Sequence, residues 1–401
     1  IINSGTRHWP RHGAGIDPKA DWIGGDMTTT ASEITRRHPI VLVTGGTGGH
    51  VFPAQALAEE LQRLGQTLAL FTDQRGKTWS GSLNDVTTHA IPAQRVSGVA
   101  LGAKIMGFAT LAYGALRSRR LLQRLSPSVV VGFGGYPSVA TMMAATNLGL
   151  PTVIHEQNAL LGRANRLLAP RVSAIATSFE EVARLNPRDA PKVIFTGNPV
   201  REQIRDLRIR PFREAGKSNP INLLVTGGSQ GASVFSTVIP QTMAALPNDL
   251  RDRIHLTQQC RPEDMEMVRA AYDKIGLKVE LAPFFDDLAE RLGNAHLVIC
   301  RSGASTIAEL TTAGRPAILV PFPHAADDHQ TANAQAMVDQ GGAEMIHEPD
   351  FTPTTLAARL KLIFSQPRAI ETMATAARAA GQKDAARNMA ALVMGMVPTS
   401  N

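Results

Sequence analysis

Short apolar runs rich in β-branched residues alternate with segments of helical periodicity along most of this chain of 401 residues. Six runs occupy residues 40–44, 67–72, 129–133, 152–155, 174–177 and 193–196, and five more occupy 221–226, 254–257, 278–281, 297–300 and 317–320. Between the first two runs, Leu57, Leu61 and Leu64 recur at helical spacing, and Gly65 follows them. This order of strands and helices predicts an α/β protein whose parallel sheets are covered by helices on both faces.

The pentapeptide LVTGG occurs twice, at 42–46 and at 224–228, and each copy ends an apolar run and opens a glycine-rich turn. This weak repeat predicts two similar, doubly wound, Rossmann-like domains that face a cleft. Ligands of such sheets bind beyond the carboxyl ends of the strands, so the cleft is the expected site. We place the first domain at 35–200, a charged, proline-containing linker at 201–219, the second domain at 220–370 and a last helical segment at 371–401.

Residues 1–34 are polar, glycine-bearing and aperiodic, and they lack the apolar core of a signal peptide. We expect them to be a disordered extension, with folded structure beginning near Thr35 and Met27 as a candidate translational start.

Charge and cysteine content narrow the possible partners. Lysine and arginine outnumber the acidic residues by 41 to 34, and the pI is about 9.7. Aromatic residues make up only 5% and no aromatic-plus-basic run occurs, so an anionic membrane face or a phosphate-rich ligand is favoured over nucleic acid. Cys260 and Cys300 lack a CxxC or histidine partner, which argues against a zinc site and favours a reducing compartment. No apolar stretch reaches the roughly 18 residues of a membrane-spanning helix.

The motif GGTGGH at 45–50 follows an apolar run and precedes a helix, as anion-binding turns do. The dinucleotide fingerprint GxGxxG would need glycine where Val51 stands, so nicotinamide binding is not favoured. His50 is either a capping, solvated histidine or a general base at the mouth of this turn. GFGGYPS at 132–138 serves either tight packing or a ligand, and HEQN at 155–158 places polar groups at a strand end, where a cleft suits them better than a core.

Two motifs repeat this arrangement in the second half. GGSQGA at 227–232 offers the Ser229 hydroxyl and helix amides to a phosphate, and CRSGASTIAEL at 300–310 follows another apolar run. Glu309 in that helix either binds a ribose diol or is an ordinary exposed glutamate. The loop PFPHAADDHQTANA at 321–334 carries Gln330 and Asn333, which suit sugar hydroxyls. Acidic pairs at 286–287 and 327–328 lack DxD spacing, so no metal and no other cofactor is expected.

Eight motifs in this order resemble the MurG family, the UDP-N-acetylglucosamine:undecaprenyl-pyrophosphoryl-muramyl-pentapeptide N-acetylglucosaminyltransferases of peptidoglycan synthesis. They are GGTGGH, GFGGYPS, HEQN, GNPVR (197–201), GGSQGA, FFDDL (284–288), CRSGAST with its glutamate, and PFPHAADDHQ, and the match runs from about 39 to 380. The resemblance implies a GT-B fold whose second domain holds the nucleotide sugar, and a last helical region, near 373–397, that packs back on the first domain. It implies donor contacts from Thr47, Gly48, Gly49, Asn158, Arg201, Ser229, Phe285, Ala304, Ser305, Thr306, Ile307, Ala308, Glu309 and Gln330.

The reaction implied by the resemblance is transfer of GlcNAc from UDP-GlcNAc to the muramyl 4-hydroxyl of lipid I, with inversion. It requires a base for that hydroxyl, stabilisation of departing UDP and a docking surface for the lipid. We expect His50 to be the base, with Glu156 or Tyr136 as substitutes.

The segment 99–124 predicts the docking surface. Apolar residues Leu101, Ile105 and Phe108 share it with a basic rim that includes Lys104 and Arg117. This pattern indicates attachment to an anionic bilayer face. Together with the resemblance, it implies a peripheral protein on the cytoplasmic face of the bacterial inner membrane. The alternative is an amphipathic core helix with a solvated basic end.

Other classes remain open on sequence grounds. A non-hydrolysing UDP-GlcNAc epimerase would share the architecture but needs no lipid surface. A nicotinamide dehydrogenase would need the glycine that Val51 replaces, and a non-catalytic nucleotide-binding module leaves the many polar strand ends without a role.

Overall fold

The structure, a computed structural model, describes residues 38–45, 48–73, 83, 86–92, 101–213, 219–228 and 231–398. Within these ranges it gives no account of the side chains at 48, 101–106, 108, 136, 137 and 367. The expected extension, 1–34, lies outside the described residues. None of the helices in the described ranges is long and apolar enough to cross a bilayer.

The first domain is built on a parallel sheet of seven strands in the order β3-β2-β1-β4-β5-β6-β7. The strands are β1 (Ile40–Val43), β2 (Leu68–Thr72), β3 (Thr87–Ala90), β4 (Val129–Gly132), β5 (Thr152–Glu156), β6 (Ala174–Thr177) and β7 (Val193–Phe195). Its helices are α1 (Gly48–Arg63), α2 (Leu101–Leu125), α3 (Tyr136–Asn147) and α4 (Arg163–Leu168). The central strands are fully buried, because side chains on both of their faces meet helices.

The second domain repeats this plan with six parallel strands in the order β10-β9-β8-β11-β12-β13. The strands are β8 (Ile221–Thr226), β9 (Ile254–Gln259), β10 (Val279–Ala282), β11 (Leu297–Cys300), β12 (Ala317–Leu319) and β13 (Ala343–Met345). The helices are α6 (Ser233–Ala245), α7 (Asn248–Arg251), α8 (Met265–Lys274), α9 (Leu288–Asn294), α10 (Ala304–Ala313), α11 (His329–Asp339), α12 (Pro353–Ser365) and α13 (Pro367–Ala380). Both sheets therefore share the Rossmann order 3-2-1-4-5-6. The predicted α/β class with two Rossmann-like domains is confirmed.

The chain crosses between the domains twice. The first crossing, within the expected linker, contains the short helix α5 (Glu202–Arg205) and a 3₁₀ turn (Asp206–Ile209). The second crossing follows Gly381 and leads into α14 (Ala385–Met394). A Cβ at Gly197 would lie 2.5 Å from Cβ of Gln382, so the two crossings touch and glycine is needed there.

The helix α14 belongs to the core of the first domain, where Met389, Ala390 and Val393 are buried together with strand β1 and helix α1. By contrast, α13 packs against α10 of the second domain. The return to the first domain therefore begins about ten residues later than the expected boundary at 371, because the apolar face of α13, including Ile370 and Ala377, is buried in the second domain.

Candidate active site

The carboxyl ends of β1, β4 and β5 bring GGTGGH, GFGGYPS and HEQN together. The amide of Gly45 donates to the carbonyl of Gly134 at 3.1 Å, which joins the first two motifs. His50, near the start of α1, lies over Gly134, where a Cβ would stand 3.0 Å from its Cε1 atom. Only glycine leaves room for the imidazole at this place.

Gln157 fixes the orientation of the His50 ring. Its Nε2 donates to the carbonyl of Phe133 at 2.9 Å, so its Oε1 faces Nδ1 of His50 at 3.0 Å. Since Oε1 can only accept, Nδ1 carries the hydrogen and the lone pair of the neutral imidazole is on Nε2. Burial lowers the pKa of His50 below its ordinary value, although the hydrogen bond to Gln157 and the charge of Glu156 oppose that shift. The arrangement provides a neutral, oriented proton acceptor.

Glu156 is almost wholly buried and its carboxylate is fully engaged. Its Oε1 accepts from the amide and the side chain of Asn158 at 3.0 and 3.1 Å. Its Oε2 accepts from the amide of Gly162 at 2.8 Å and from Asn165 at 2.9 Å. Four donors surround this carboxylate, so its geometry suits holding the 156–165 loop rather than accepting a substrate proton.

The helix α10 of the second domain points its first turn at the first domain. The Ser305 hydroxyl lies 3.5 Å from the carbonyl oxygen of Gly49. One turn later, Oε1 of Glu309 accepts from Nη2 of Arg201 at 3.0 Å. The Arg201 guanidinium also lies 4.4 Å above the ring of Phe52. Burial raises the pKa of Glu309, against the opposing charge of Arg201.

Another face of α10 borders a cavity between the domains. Ala304, Ile307 and Ala308 line an interdomain cavity of about 820 Å³ together with Asn198, whose buried Nδ2 and Oδ1 atoms have no hydrogen-bond partner in the described part of the molecule. Of the six residues expected to contact the donor from this helix, Ser305 meets the first domain, Glu309 meets Arg201, these three side chains face the cavity, and Thr306 is half-buried.

Asn333 joins the two domains. Its side chain is fully buried, its Oδ1 accepts from the amide of Ala159 at 2.8 Å, and its Nδ2 donates to Oδ1 of Asn158 at 3.1 Å and to the carbonyl of Ser302 at 3.2 Å. The sequence suggested that Asn333 reads sugar hydroxyls. In this structure its atoms are used in protein contacts instead.

Gln330 and Phe285 of the second domain both make contacts within that domain. Oε1 of Gln330 accepts from the amide of Phe322 at 3.0 Å, while its backbone carbonyl accepts from Ser302 at 2.8 Å. Phe285 is buried, and the guanidinium of Arg291 lies 4.3 Å above its ring.

Several expected site residues lie outside the described residues. Thr47 and Ser229 are among them, and Tyr136 begins α3 without a described side chain. Gly48 begins α1 and Gly49 follows it, exposed to solvent. The membrane residues Leu101, Lys104, Ile105 and Phe108 are placed in α2, but their side chains also lie outside the description.

The described part of α2 exposes apolar and basic groups together. Tyr113 and Leu116 are 57% and 59% exposed, and Arg117, Arg119 and Arg120 are exposed beside them. Tyr113 and Leu116 are three positions apart on the helix, so their exposed side chains lie on the same face.

Sequence reasoning did not find the contact of Asp327 with three arginines of the first domain. Asp327 pairs with Arg163 at 2.9 Å, Arg166 at 3.1 Å and Arg184 at 3.2 Å. The adjacent acidic residues at 327–328 were visible in the sequence, but they gave no sign of partners more than 140 positions earlier.

The comparisons with known proteins agree with one another. Residues 40–177 match the model of the glycosyltransferase family 28 N-terminal domain, and residues 222–389 match that of the C-terminal domain. The "UDP-N-acetylglucosamine--N-acetylmuramyl-(pentapeptide) pyrophosphoryl-undecaprenol N-acetylglucosamine transferase" of Paramagnetospirillum magneticum is 51% identical over 92% of this chain and 99% of its own. The Rhodospirillum rubrum protein of the same name is 52% identical over 88% of this chain and 91% of its own.

Solved structures give the same picture. The crystal structure of MurG from Acinetobacter baumannii superposes with a TM-score of 0.71 at 29% identity, covering 89% of this chain and 99% of that one. UDP-GlcNAc 2-epimerase from Neisseria meningitidis, bound to UDP-GlcNAc, superposes with a TM-score of 0.62 over 89% of this chain and 100% of its own. Its identity of 13% shows a shared fold alone.

Proposed function

The chain belongs to glycosyltransferase family 28, among its MurG members, and we propose from this that it transfers GlcNAc from UDP-GlcNAc to lipid I, making lipid II. The observation that carries the proposal is the 51% identity to a transferase of this name over 92% of the chain. Two features of the site support the proposal: His50 of the first domain is suited to act as a base, and α10 of the second domain is suited to bind the nucleotide.

In the proposed mechanism, Nε2 of His50 takes the proton of the muramyl 4-hydroxyl as the hydroxyl oxygen attacks the anomeric carbon of GlcNAc. The bond from that carbon to the diphosphate of UDP breaks, and UDP leaves with the electron pair. Support comes from the lone pair on Nε2 and from the lowered pKa of His50, which keeps the ring neutral near pH 7. Inversion follows from a single displacement.

Helix α10 is proposed to hold the nucleotide. Its first amides can stabilise the developing negative charge of the leaving diphosphate. The second carboxyl oxygen of Glu309 can accept from a ribose hydroxyl, and Arg201 opposes the rise in the pKa of Glu309 that burial causes.

We assign Glu156 a positioning role. Its four hydrogen bonds fix the 156–165 loop, and they set the side chain of Asn158 at the point where Asn333 of the other domain meets it. Asn158 is thereby placed to contact the donor sugar.

Attachment to an anionic membrane surface through α2 is also proposed, on the cytoplasmic side where lipid I would be met. Tyr113 and Leu116 would enter the interfacial region, and Arg117, Arg119 and Arg120 would contact lipid phosphates. The exposure of these residues argues against the alternative of an amphipathic core helix over this part of α2.

The test is release of UDP from UDP-GlcNAc with and without a lipid I analogue. Release that depends on the analogue, together with a GlcNAc-bearing lipid product in mass spectrometry, is the expected result. An epimerase would instead convert UDP-GlcNAc to its 2-epimer without the analogue, which NMR of the nucleotide sugar would detect.

A further inference from the structure

One carboxylate is shared by three guanidinium groups at the boundary between the domains. Oδ1 of Asp327 contacts Nη2 of Arg163 at 2.9 Å and Nη1 of Arg184 at 3.2 Å. Its Oδ2 accepts from Nε of Arg163 at 3.2 Å and from Nη2 of Arg166 at 3.1 Å. The arginines belong to the first domain and Asp327 to the second.

Three guanidiniums share the single carboxylate of Asp327, and each guanidinium carries several N–H donors in a planar fork. The side chains of Arg163, Arg184 and Arg166 remain 76%, 45% and 33% exposed, so a ligand can reach them from solvent. Arg166 and Arg184 each contact Asp327 through one nitrogen, so their guanidiniums keep further N–H donors for a ligand.

The backbone on both sides of this contact is strained. Arg184 has φ 62°, and Asp327 and Asp328 both have φ 56°. These are three of the four non-glycine residues with positive φ in the described chain, the fourth being Ser126. Left-handed backbone is costly for residues with a Cβ, and it concentrates where segments bind ligands or switch. The contact therefore joins two segments held in unfavourable conformations.

The cluster adjoins the proposed catalytic loop. Arg163 follows Gly162, whose amide binds Glu156, and Arg166 follows Asn165, which binds the same carboxylate. The three arginines belong to the first domain, whereas the helix proposed to hold UDP, α10, belongs to the second.

We propose that Arg163, Arg166 and Arg184 form a diphosphate-binding subsite, and that Asp327 is the internal counter-ion that fills it until the ligand arrives. The inference rests on the proposed function, in which both substrates carry a diphosphate. The lipid-linked acceptor is its source, because the subsite lies on the first domain beside the loop that holds His50 through Gln157. A diphosphate brings more negative charge and more acceptor oxygens than Asp327, and fork-shaped guanidiniums suit it.

The test compares two variants with the wild-type enzyme in steady-state kinetics. The double variant Arg166→Gln with Arg184→Gln should raise the KM for a diphosphate-bearing lipid I analogue about tenfold or more. This is the effect expected from the loss of at least one charged hydrogen bond. The KM for UDP-GlcNAc and inhibition by UDP should stay unchanged. Asp327→Asn should make inorganic pyrophosphate a several-fold stronger inhibitor against the acceptor, because its internal competitor is lost.

Arg171→Gln is the matched control, an exposed arginine just beyond α4, and it should leave both KM values unchanged. Thermal unfolding shows whether each variant is folded. If the double variant is unfolded, Asp327→Asn, which keeps every arginine, tests the proposal by itself. A raised KM for UDP-GlcNAc alone would overturn the acceptor assignment in favour of UDP. Unchanged pyrophosphate inhibition in Asp327→Asn would make the contact a domain clamp only. Failure of the proposed function would differ, since the wild-type enzyme would then release no UDP with the acceptor.

Discussion

The imidazole of His50 is held by a neutral amide rather than by a carboxylate. Because Gln157 accepts from Nδ1 without contributing charge, it fixes the tautomer and leaves burial to dominate the pKa. The sequence predicted His50 as a base, but Gln157 entered only as a member of HEQN. Its role depends on the carbonyl of Phe133, and the motif GFGGYPS that contains Phe133 does not indicate this contact.

Replacement of His50 should therefore affect catalysis more than binding. His50→Ala should lower kcat about 10²–10⁴-fold, the usual contribution of general-base assistance, with a much smaller change in the KM for UDP-GlcNAc. The pKa of His50 is lowered, so the acidic limb of the wild-type pH–rate profile should lie below pH 6.5 and should vanish in the variant. Retention of that limb would place the base elsewhere.

His155, the residue before Glu156, should make stability depend on pH. Burial lowers its pKa from 6.5 to about 3, so at intermediate pH the unfolded chain binds a proton that the folded chain does not. The free energy of unfolding should thus fall by about 2 kcal/mol from this group alone between pH 7 and pH 5. Urea unfolding should show a shallower pH dependence in His155→Asn than in the wild type. Equal slopes would contradict the prediction, whatever the absolute stabilities.

Glu309 and its partner Arg201 were both predicted as donor-site residues, and the structure pairs them. Glu309→Gln keeps the shape but removes the charge that Arg201 and a ribose hydroxyl share. The kcat/KM for UDP-GlcNAc should fall about tenfold or more. Glu290→Gln, at an exposed glutamate of α9, is the control and should leave the kinetics unchanged. Unchanged kinetics in Glu309→Gln would show that Glu309 does not belong to the donor site.

At the scale of elements, the eleven strands predicted from apolar runs are all present, with ends shifted by at most one or two residues. The two strands that were not predicted are β3, with sequence TTHA, and β13, with sequence AEM. Each lies at the edge of its sheet and pairs with a single neighbour. An edge strand can be short and polar because one side faces solvent, so it lacks the apolar run by which central strands are recognised.

Helix α2 allows a test that leaves the core intact. Tyr113→Glu together with Leu116→Glu should abolish binding to anionic liposomes. Both native side chains are more than half exposed, and the two glutamates would remove their apolar contact and add negative charge beside the arginines. Turnover of a soluble acceptor analogue should survive. Leu362→Glu on α12, also an exposed leucine, should leave liposome binding unchanged. Wild-type liposome binding by the double variant would exclude α2 as the docking helix.

At the scale of the whole molecule, the sequence predicted two domains and the strand ends that meet in the cleft, because glycine turns and polar residues mark those ends locally. It did not predict how the domains touch. Asn333 with Ala159, and Asp327 with three arginines, depend on the relative placement of distant segments, which periodicity and motif spacing do not encode.

The packing of α14, which follows the second crossing, can be tested through its effect on stability. Met389 of α14 is fully buried against the first domain, and Met389→Ala should destabilise the protein by about 2–5 kcal/mol. Denaturant unfolding measures the loss. Met267→Ala, on the exposed side of α8, is the control and should cost little. A full effect in the control or none at Met389 would contradict the assignment of α14 to this core.

That crossing also orders events during synthesis. The second domain and α13 are fully translated at residue 380, whereas the first domain waits for α14, the last helix of the described chain, to cover α1. The half of the protein that is translated first is thus the half that is finished last. Until then the apolar side of α1 stays open to chaperones or to another copy of the chain, and a chain truncated near residue 384 would have a complete second domain and an unfinished first domain.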